Sequence, residues 1–398
     1  MSIIEVGHIF WIIFQFIIGY NLVFPIIILL VYLLKPKPNW AAKAVQSNVE
    51  TDYAIIVTAY EQTHTLPPVI DSLLRLKYSN YLIYIVADKC DVSKLHFSDE
   101  RVIVLRPPET LGSNTRSHFY AINHFKRPHK RLTIIDSDNL VEPNYLIELD
   151  KYFNAGFIAV QGERKAKNLD TTVACVDAAR DVYYHFYDGK ILFEAGSSAT
   201  LAGSGMAFTV DLYKECLGHL DVTGAGFDKV LQKEILVRKH RIAFNQNAIV
   251  YDEKTSQSEQ LVKQRARWIN TWFRYFKFGF TIMAKGITGF NWNQFIFGFV
   301  LLRPPLFIFL LLSVLCMGIS LFVSITSFLV WIAAFFLFVL GFFIALLCSP
   351  TDKRIYQSLW GIPSFIFHQV LSLLKVRKAN QFSVATQHFH DKTIEEVK

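Results

Sequence analysis

The sequence predicts an α/β protein in which a mostly parallel sheet is attached to helices that span a membrane or lie on it. Three observations predict this. Short β-branched runs alternate with helical stretches between residues 53 and 285, which is typical of βαβ units. Charged side chains concentrate between residues 50 and 280, whereas the flanking segments are nearly uncharged. The 398-residue chain is 52% hydrophobic and 19% charged, which is too apolar for an ordinary soluble enzyme.

Composition also disfavours several classes of protein. The five cysteines are odd in number, scattered and without a Cys-x-x-Cys pair, so neither a disulfide framework nor a zinc knuckle is expected. The net charge of +8 is compatible with nucleic acid, but the basic residues lie just outside the apolar runs, where anionic lipid attracts them. We therefore expect the lipid bilayer, and no nucleic acid, as a partner.

The first apolar run covers residues 9–34. As a helix it would be about 39 Å long, which exceeds a hydrocarbon core of roughly 30 Å. A cleaved signal peptide would have a basic start and a shorter apolar core, so residues 1–34 are predicted to be a retained transmembrane anchor. Lys35, Lys37 and Lys43 follow in the linker predicted at 35–50, which places the next part of the chain in the cytoplasm and the N-terminus outside.

A transmembrane hairpin is predicted at 294–350. Its spans are expected at 304–323 and 327–348, with a turn of three residues, 324–326, between them. Basic residues flank the pair, namely Arg303 before it and Lys353 and Arg354 after it. Both ends of the hairpin are therefore expected in the cytoplasm.

Two further segments are predicted to lie in the membrane interface. Residues 268–293 are aromatic but interrupted by lysines, which is typical of an amphipathic interfacial helix. Residues 351–398 are expected to form a similar helix and then a solvated cytoplasmic tail. A further span at 355–374 is the alternative. The sequence thus predicts a multi-pass protein of the inner or plasma membrane with a cytoplasmic catalytic domain.

The central domain, predicted at 51–267, carries acidic residues where strands end. Its first strands are expected at 53–58, 82–87, 102–105 and 132–135, with helices at 66–76 and 113–125 between them. The second strand ends at Asp88, and the fourth ends in Asp136-Ser137-Asp138. Ligands of open α/β sheets bind beyond the carboxyl ends of the strands, so these carboxylates are expected at a ligand site.

The motifs of this domain disfavour two kinds of nucleotide site. No Gly-x-Gly-x-x-Gly loop follows the first strand, and no phosphate-binding loop with Lys-Ser/Thr is present, which disfavours hydride transfer and P-loop chemistry. Paired carboxylates such as Asp136 and Asp138 can instead hold Mg²⁺ or Mn²⁺, which bridges the oxygens of a diphosphate. An acidic turn arising by chance is the alternative for these residues alone.

Two later segments add candidate chemistry. Asp228 follows Gly224-Ala225-Gly226-Phe227 and precedes a helix expected at 229–240, so it either caps that helix or acts as a general base. Gln264, Arg267 and Trp268, at the predicted start of an aromatic helix, share a face at i, i+3 and i+4. There a guanidinium can bind a diphosphate and an indole can stack on a sugar, or both can belong to a membrane-interface belt.

Taken in order, these motifs resemble those of the membrane-bound family 2 glycosyltransferases, the group containing cellulose, chitin and hyaluronan synthases and many bacterial exopolysaccharide enzymes. The resemblance covers about residues 50–280 and rests on Asp88, Asp136-Ser137-Asp138, Asp228 and the Gln-x-x-Arg-Trp motif Gln264-Arg265-Ala266-Arg267-Trp268. It implies a Rossmann-like GT-A domain and an inverting, metal-dependent hexosyltransferase. Mg²⁺ or Mn²⁺ is the implied cofactor, and a nucleotide diphosphate sugar, usually a UDP-sugar, is the implied donor.

The resemblance also implies roles for individual residues. Asp228 would be the catalytic base and Asp138 the metal ligand. The implied nucleotide-sugar contacts are Thr58, Tyr60, Glu61, Asp88, Asp136, Gln264 and Arg267. The implied acceptor contacts are Gly203, Ser204, Gly205 and Trp268.

The sequence departs from the family pattern at three places. The acidic neighbour that usually precedes the base is replaced by Phe227. The second strand is followed by Asp88-Lys89-Cys90-Asp91 in place of Asp-Asp-Gly, so either Asp88 or Asp91 faces the nucleotide. The lysine that the family places before an Ala-Leu-Asn segment has no clear match, and Arg116 or His118 is the candidate substitute.

Three functions remain open from sequence. The first is a processive polysaccharide synthase, and the second is transfer of a single sugar to a lipid-linked acceptor. Three spans are few to enclose a sugar-wide pore, which favours the second function or an oligomeric channel. A non-enzymatic membrane scaffold is the third. A homo-oligomer or polysaccharide-assembly proteins are possible partners.

Overall fold

The computed structural model describes residues 3–36, 40, 50–93, 95–376, 390 and 392–397. Most of the predicted linker, including Lys37 and Lys43, and most of the predicted tail lie outside the described residues. The strands are β1 Tyr53–Tyr60, β2 Tyr81–Asp88, β3 Val102–Leu105, β4 Arg131–Asp136, β5 Leu140–Val141, β6 Ala159–Ala166, β7 Met206–Thr209 and β8 Ala243–Asp252.

The helices occupy both ends of the chain and the connections between strands. They are α1 Ile3–Leu34, α2 Leu66–Leu74, α3 Asn114–Asn123, α4 Tyr145–Asn154, α5 Thr172–Tyr184, α6 Val210–Leu217, α7 Phe227–Val237, α8 Ser258–Tyr275, α9 Phe278–Thr288, α10 Trp292–Leu302, α11 Leu306–Val323, α12 Ile325–Leu347, α13 Lys353–Gln357, α14 Ile362–Leu373 and α15 Ile394–Val397. A π-helix, His185–Ile191, continues α5 and ends in the short helix Leu192–Glu194.

The strands form one eight-stranded sheet in the order β3-β2-β1-β4-β7-β6-β8-β5. The pairs β1–β2, β1–β4, β2–β3 and β6–β8 are parallel, whereas β7 runs antiparallel to β4 and β6, and β5 runs antiparallel to β8. The predicted α/β fold with a mostly parallel sheet is therefore confirmed. Its central strand β1 is buried along most of its length, which explains its continuous apolar sequence.

The register of the central strands brings the acidic residues to one edge. Thr58 of β1 pairs with Asp136 of β4 on one side and with Val86 of β2 on the other. Two residues further along β1, Tyr60 pairs with Asp88. The carboxyl ends of β1, β2 and β4 thus meet, as expected for parallel strands whose ends carry a ligand site.

Within the described residues, three helices are long and apolar enough to cross a membrane: Glu5–Leu34 within α1, and the two helices α11 and α12. The three-residue turn predicted between the last two is wrong. Only Ser324 is non-helical, because its hydroxyl accepts the N–H of Ser327 and so begins α12 immediately.

The candidate spans pack on one another through a few polar contacts. The side-chain oxygen of Gln15 in α1 accepts hydrogen bonds from Trp331 of α12 at 2.9 Å and from Ser320 of α11 at 3.3 Å. A Cβ placed on Gly19 would lie 3.5 Å from the Trp331 ring. The small residue and the shared amide therefore hold the three helices in direct contact.

The stretch predicted as one interfacial helix is divided in the structure. The Gln-x-x-Arg-Trp motif lies inside α8, which begins at Ser258, so the expectation that the motif opens its helix is wrong. Helix α9 then pairs closely with α10, since a Cβ on Gly286 would lie 2.4 Å from the backbone of Phe295. The shorter apolar helices are Trp292–Leu302 and Leu359–Leu373.

Candidate active site

Asp88 is buried at the end of β2 and shapes the loop that faces it. Its two carboxylate oxygens accept the backbone N–H groups of Leu111 at 2.9 Å and Gly112 at 2.8 Å. Gly112 has φ +58°, a conformation that favours glycine. The alternative acidic residue, Asp91, is exposed and accepts the N–H of Ser93 within its own turn. Asp88 is thus the carboxylate that the fold fixes at the strand end.

The end of β1 lies directly beside Asp88. The N–H of Glu61 donates to the Asp88 carbonyl at 3.2 Å, and Glu61 has φ +60°. The Glu61 carboxylate forms an exposed ion pair with Lys89 at 2.7 Å. These contacts join the two strand ends, and with them Thr58 and Tyr60, into one edge of the candidate site.

Ser204 connects the Asp-x-Asp turn to the glycine-containing loop, which we define as residues 201–205. Its hydroxyl accepts the backbone N–H of Asp136 at 3.0 Å. The same hydroxyl donates to the amide oxygen of Asn139 at 2.8 Å, and the Asn139 amide nitrogen lies 3.1 Å from a carboxylate oxygen of Asp138. Buried Lys167 donates to the Asp138 backbone carbonyl at 3.0 Å. These bonds fix where the Asp138 carboxylate stands.

The two carboxylates of this turn fit a cation that binds together with a diphosphate. Among the described residues, no group of three or more His, Cys, Asp or Glu side chains could by itself hold a metal ion. Mg²⁺ typically takes one or two carboxylates from a protein and completes its shell with substrate phosphates and water. Asp136 and Asp138 supply that number of carboxylates.

The two glycines of the loop differ in the space around their backbone. Gly203 has φ +88°, and a Cβ there would meet no atom within 4 Å, so the backbone borders open space. Gly205 has φ +66°, and a Cβ there would lie 2.9 Å from Val250. Ser204 is fully buried between them, and its hydroxyl faces Asp136 and Asn139. An acceptor at this loop would therefore approach the backbone of Gly203.

Asp228 lies in the first turn of α7. Gly226, with φ +100°, is the N-cap residue, so the alternative in which Asp228 caps the helix is wrong. A Cβ on Gly226 would lie 2.6 Å from Thr271, which shows that the start of α7 packs on α8. Glycine is required there because the two helices approach so closely.

Asp228 and Asp138 each lie next to a residue that contacts the 201–205 loop. Lys229 contacts the Asp228 carboxylate at 3.2 Å and donates to the Leu201 carbonyl at 3.3 Å. Leu201 is three residues before Ser204, a span of at most about 11 Å even when fully extended. The loop thus links the two segments that carry carboxylates 90 positions apart in the sequence.

The Gln-x-x-Arg-Trp residues lie on α8, the helix that packs on the start of α7. The side-chain oxygen of Gln264 accepts from the Thr255 hydroxyl at 3.2 Å. Arg267 is half-buried, and burial lowers the pKa of its guanidinium. Trp268 is 38% exposed, and the guanidinium carbons of Arg265 and Arg180 lie 4.0 Å and 4.7 Å from its ring centroid. Trp268 therefore stacks on cations as well as facing solvent.

Sequence reasoning missed a buried chain of ion pairs that leads from the sheet to α8. The chain alternates in charge and runs through Arg164, Asp252, Lys254, Asp181, Arg180, Asp177 and Arg265. Burial acts to raise the pKa of Asp181, but Arg180 and Lys254 hold it well below its usual range. Asp177 and Asp181 are spaced i, i+4 on α5, and that spacing was the one available signal.

The two candidates for the missing lysine differ in charge. His118 is completely buried and bonded to the Tyr213 hydroxyl at 2.7 Å, and burial lowers its pKa to about 3. It is therefore neutral and cannot replace a cation. Arg116 keeps its charge and pairs with exposed Asp221 at 2.6 Å.

A mixed α/β fold with a curled, mostly parallel sheet is an architecture of the GT-A type. The family profile described as "Glycosyltransferase like family 2" matches residues 51–271, which is more than half of the chain. The chain therefore belongs to the family 2-like glycosyltransferases. The sequence matches none of the curated proteins.

Two solved structures align with this chain, and the first resembles it in fold. Mannosyltransferase PcManGT from Pyrobaculum calidifontis, in complex with GDP-Man and Mn²⁺, aligns with a TM-score of 0.57 and 14% identity over 91% of this chain and 98% of its own. Residues 1–349 of S. aureus TarS align with a TM-score of 0.43 and 12% identity over 83% of this chain and 90% of its own.

Proposed function

We propose that the protein is an inverting, metal-dependent glycosyltransferase that moves a sugar from a nucleoside diphosphate sugar to a glycan or lipid-linked acceptor at the membrane. Two contacts of the 201–205 loop support this proposal: Ser204 contacts Asn139, the neighbour of Asp138, and Leu201 accepts from Lys229, the neighbour of Asp228. A base and a diphosphate-binding turn separated by an open glycine backbone leave room for an acceptor hydroxyl beside the donor sugar. We expect a UDP-sugar as donor, and GDP-Man, the ligand of the mannosyltransferase, is the first alternative.

In this mechanism the carboxylate of Asp228 takes the proton of the acceptor hydroxyl while that oxygen attacks the anomeric carbon. The bond to the diphosphate breaks on the opposite face, so the configuration inverts. Charge accumulates on the leaving diphosphate, where the guanidinium of Arg267 would bind it. Asp138, with Asp136 beside it, would hold Mg²⁺ or Mn²⁺, which would supply further charge neutralisation on that group.

The packing of the candidate spans favours transfer of a single sugar. Within the part of the chain that the structure describes, α1, α11 and α12 contact one another directly through Gln15, Ser320 and Trp331. Three helices in direct contact do not enclose a channel as wide as a sugar. A lipid-linked acceptor in the bilayer therefore suits this chain better than a polymer threaded through its own spans.

The positions of the charged residues support a cytoplasmic catalytic domain. Lys35 follows α1, whereas Lys353 and Arg354 follow α12, so cations border the catalytic side of the spans. Lys35 also donates to the Ala195 carbonyl at 2.7 Å, which attaches the end of α1 to that domain. The N-terminus would then lie on the outer side.

The decisive experiment is a donor screen on the full-length protein in detergent. UDP-, GDP- and dTDP-sugars are tested with Mg²⁺ or Mn²⁺, and nucleoside diphosphate release is measured before and after chelation by EDTA. We expect one donor to be turned over in a metal-dependent manner. We expect Asp138→Asn to lose this metal-dependent turnover. Turnover that survives EDTA, or no turnover with any donor, contradicts the proposal.

Product size separates the two acceptor hypotheses. With radiolabelled donor and a membrane extract as acceptor, single transfer gives one lipid-soluble species, whereas a processive enzyme gives a long water-soluble polymer. A polymer formed by this chain alone would contradict single transfer and leave the donor chemistry intact.

A further inference from the structure

Three arginines from three different elements surround two aromatic rings where the catalytic domain meets the candidate spans. Arg180 lies on α5, Arg265 on α8, and Arg303 between α10 and α11. The guanidinium carbons of Arg180 and Arg303 are 5.7 Å and 5.4 Å from the centroid of Tyr184. Arg180 also shares the Trp268 ring with Arg265, at 4.7 Å and 4.0 Å. We call these five side chains the arginine cluster.

The cluster contains hydrogen-bond donors without partners. Arg265 is 2% exposed and pairs with Asp177, yet its Nε and Nη1 atoms have no hydrogen-bond partner among the described residues. Arg303 is 8% exposed and pairs with Asp188, and its Nη1 is likewise without a partner there. A buried donor left unsatisfied costs about 1–3 kcal/mol, so several of them side by side indicate a missing acceptor.

The electrostatics of the cluster favour an anion. Burial, and then the nearby Arg180, lower the pKa of Arg265 to about 10, although Asp177 and Asp181 act in the opposite direction. The buried chain of ion pairs that runs from Arg164 to Arg265 contains four cations and three carboxylates. A group that brings negative charge and several acceptor oxygens would satisfy both the charge and the free N–H groups. Phosphate oxygens match arginine in this way.

The cluster lies beside the candidate membrane spans. The ring of Tyr183, next to Tyr184, contacts Phe338 and Phe342 of α12 with centroids 5.9 Å and 6.0 Å apart. Arg303 is three residues before the first residue of α11. On its other side the cluster includes Trp268, the neighbour of Arg267. A phosphate attached to a lipid could thus bind here while its tail remains in the bilayer.

We propose that the arginine cluster binds the phosphate group of a lipid-linked acceptor and so positions the acceptor beside Trp268. This inference rests on the proposed function and adds the acceptor class, namely a membrane lipid carrying a phosphate or diphosphate. Arg265 and Arg303 donate to the phosphate oxygens. Tyr184, whose ring lies against the guanidinium groups of Arg180 and Arg303, donates a further hydrogen bond through its hydroxyl. A neutral lipid alcohol would leave these donors unpaired.

Equilibrium binding of radiolabelled polyprenyl phosphate to the full-length protein in detergent tests this proposal. Tyr184→Phe removes only a hydroxyl and should weaken binding about tenfold, as expected for one lost hydrogen bond to a charged group. Arg265→Lys keeps the charge beside Asp177 but loses the planar fork, and should weaken binding further. Tyr187→Phe is the matched control, since its hydroxyl donates to Gly341 of α12 at 2.9 Å, and it should bind as the wild type does.

Competition experiments distinguish the sources of the phosphate. We expect polyprenol, phosphatidylglycerol and inorganic phosphate each to compete at least tenfold more weakly than unlabelled polyprenyl phosphate. Equal competition by polyprenol would show that the phosphate is not recognised, and equal competition by phosphatidylglycerol or inorganic phosphate would indicate a general anion site. Each of these results overturns the proposal, as does equal binding by the Tyr184→Phe and Tyr187→Phe variants. Donor turnover is measured separately, so failure of the proposed function is recognised independently of this result.

Discussion

The backbone N–H of Asp136 donates a hydrogen bond to the hydroxyl of Ser204 at 3.0 Å, across 68 positions of sequence. This bond attaches the Asp-x-Asp turn to the 201–205 loop. At the other end of that loop, Leu201 accepts from Lys229, the neighbour of Asp228. One loop therefore positions the turn that would hold the diphosphate relative to the residue that would take the proton.

Ser204→Ala should weaken both the fold and the donor site. The substitution leaves the Asp136 N–H and the Asn139 amide without the hydroxyl between them, which costs about 1–3 kcal/mol of unfolding free energy. Because Asn139 also contacts Asp138, the metal concentration needed for half-maximal donor binding should rise. Chemical denaturation and metal titration measure the two effects. Ser137→Ala, in the same turn, is the control, and equal behaviour of the two variants would contradict a positioning role for Ser204.

Asp228→Asn should abolish turnover and leave metal-dependent donor binding intact. The amide keeps the shape of the side chain but cannot accept a proton, and loss of a general base typically costs 10²–10⁴-fold in rate. Initial rates of nucleoside diphosphate release, together with donor titrations, measure the two properties. Asp221→Asn, on the exposed loop before α7, should retain near-normal turnover. Near-normal activity in Asp228→Asn would remove the base assignment.

Lys254→Met should destabilise the protein strongly. Lys254 is 2% exposed and pairs with Asp181 and with Asp252, the latter at 2.7 Å. Removing one partner of a buried ion pair leaves uncompensated charge and typically costs about 3–5 kcal/mol. The free energy of unfolding in detergent should fall accordingly, whereas Lys263→Met on the exposed face of α8 should change it little. Equal stability of the two variants would show that the buried chain of ion pairs is not structural.

The carboxyl group of Glu163 should make the free energy of unfolding depend on pH. Burial raises the pKa of its carboxyl from 4.5 to about 7, although Lys165 and Lys190 act to lower it. The folded state then binds a proton that the unfolded chain releases, so stability is greatest below about pH 4.5 and falls as the pH rises to about 7. The slope is at most about 1.4 kcal/mol per pH unit. Glu163→Gln cannot titrate, so the difference in unfolding free energy between the two proteins should change over this pH range. A difference that stays constant over the range would contradict the assignment.

Much of the fold could be predicted from sequence because the relevant signals are local. A run of buried apolar residues such as 53–58 becomes a strand, and β1 extends it by two residues to Tyr60. The three long apolar helices could be predicted for the same reason. The expected turn 324–326 was wrong because Ser324 caps α12, and side-chain capping moves a helix end by one or two residues.

For the candidate site, the sequence could propose only residues that a motif marks. Asp136, Asp138 and Asp228 stand in a recognisable order, and the contacts that link their segments to the 201–205 loop appear only in the fold. Lys167 and Ser204 were not predictable as the residues that position Asp138, since each acts through a contact that forms only after the strands are paired.

The α/β class, the strand ends that carry carboxylates, the apolar helices and the family can all be inferred from sequence, because each depends on residue type and short-range spacing. Which charges pair depends on the packing of distant segments. Arg265 binds Asp177 across 88 positions, and Arg303 binds Asp188 across 115. The physical reason is that a buried charge requires a partner, and the partner is whichever opposite charge the packing of helices and strands brings within hydrogen-bonding distance.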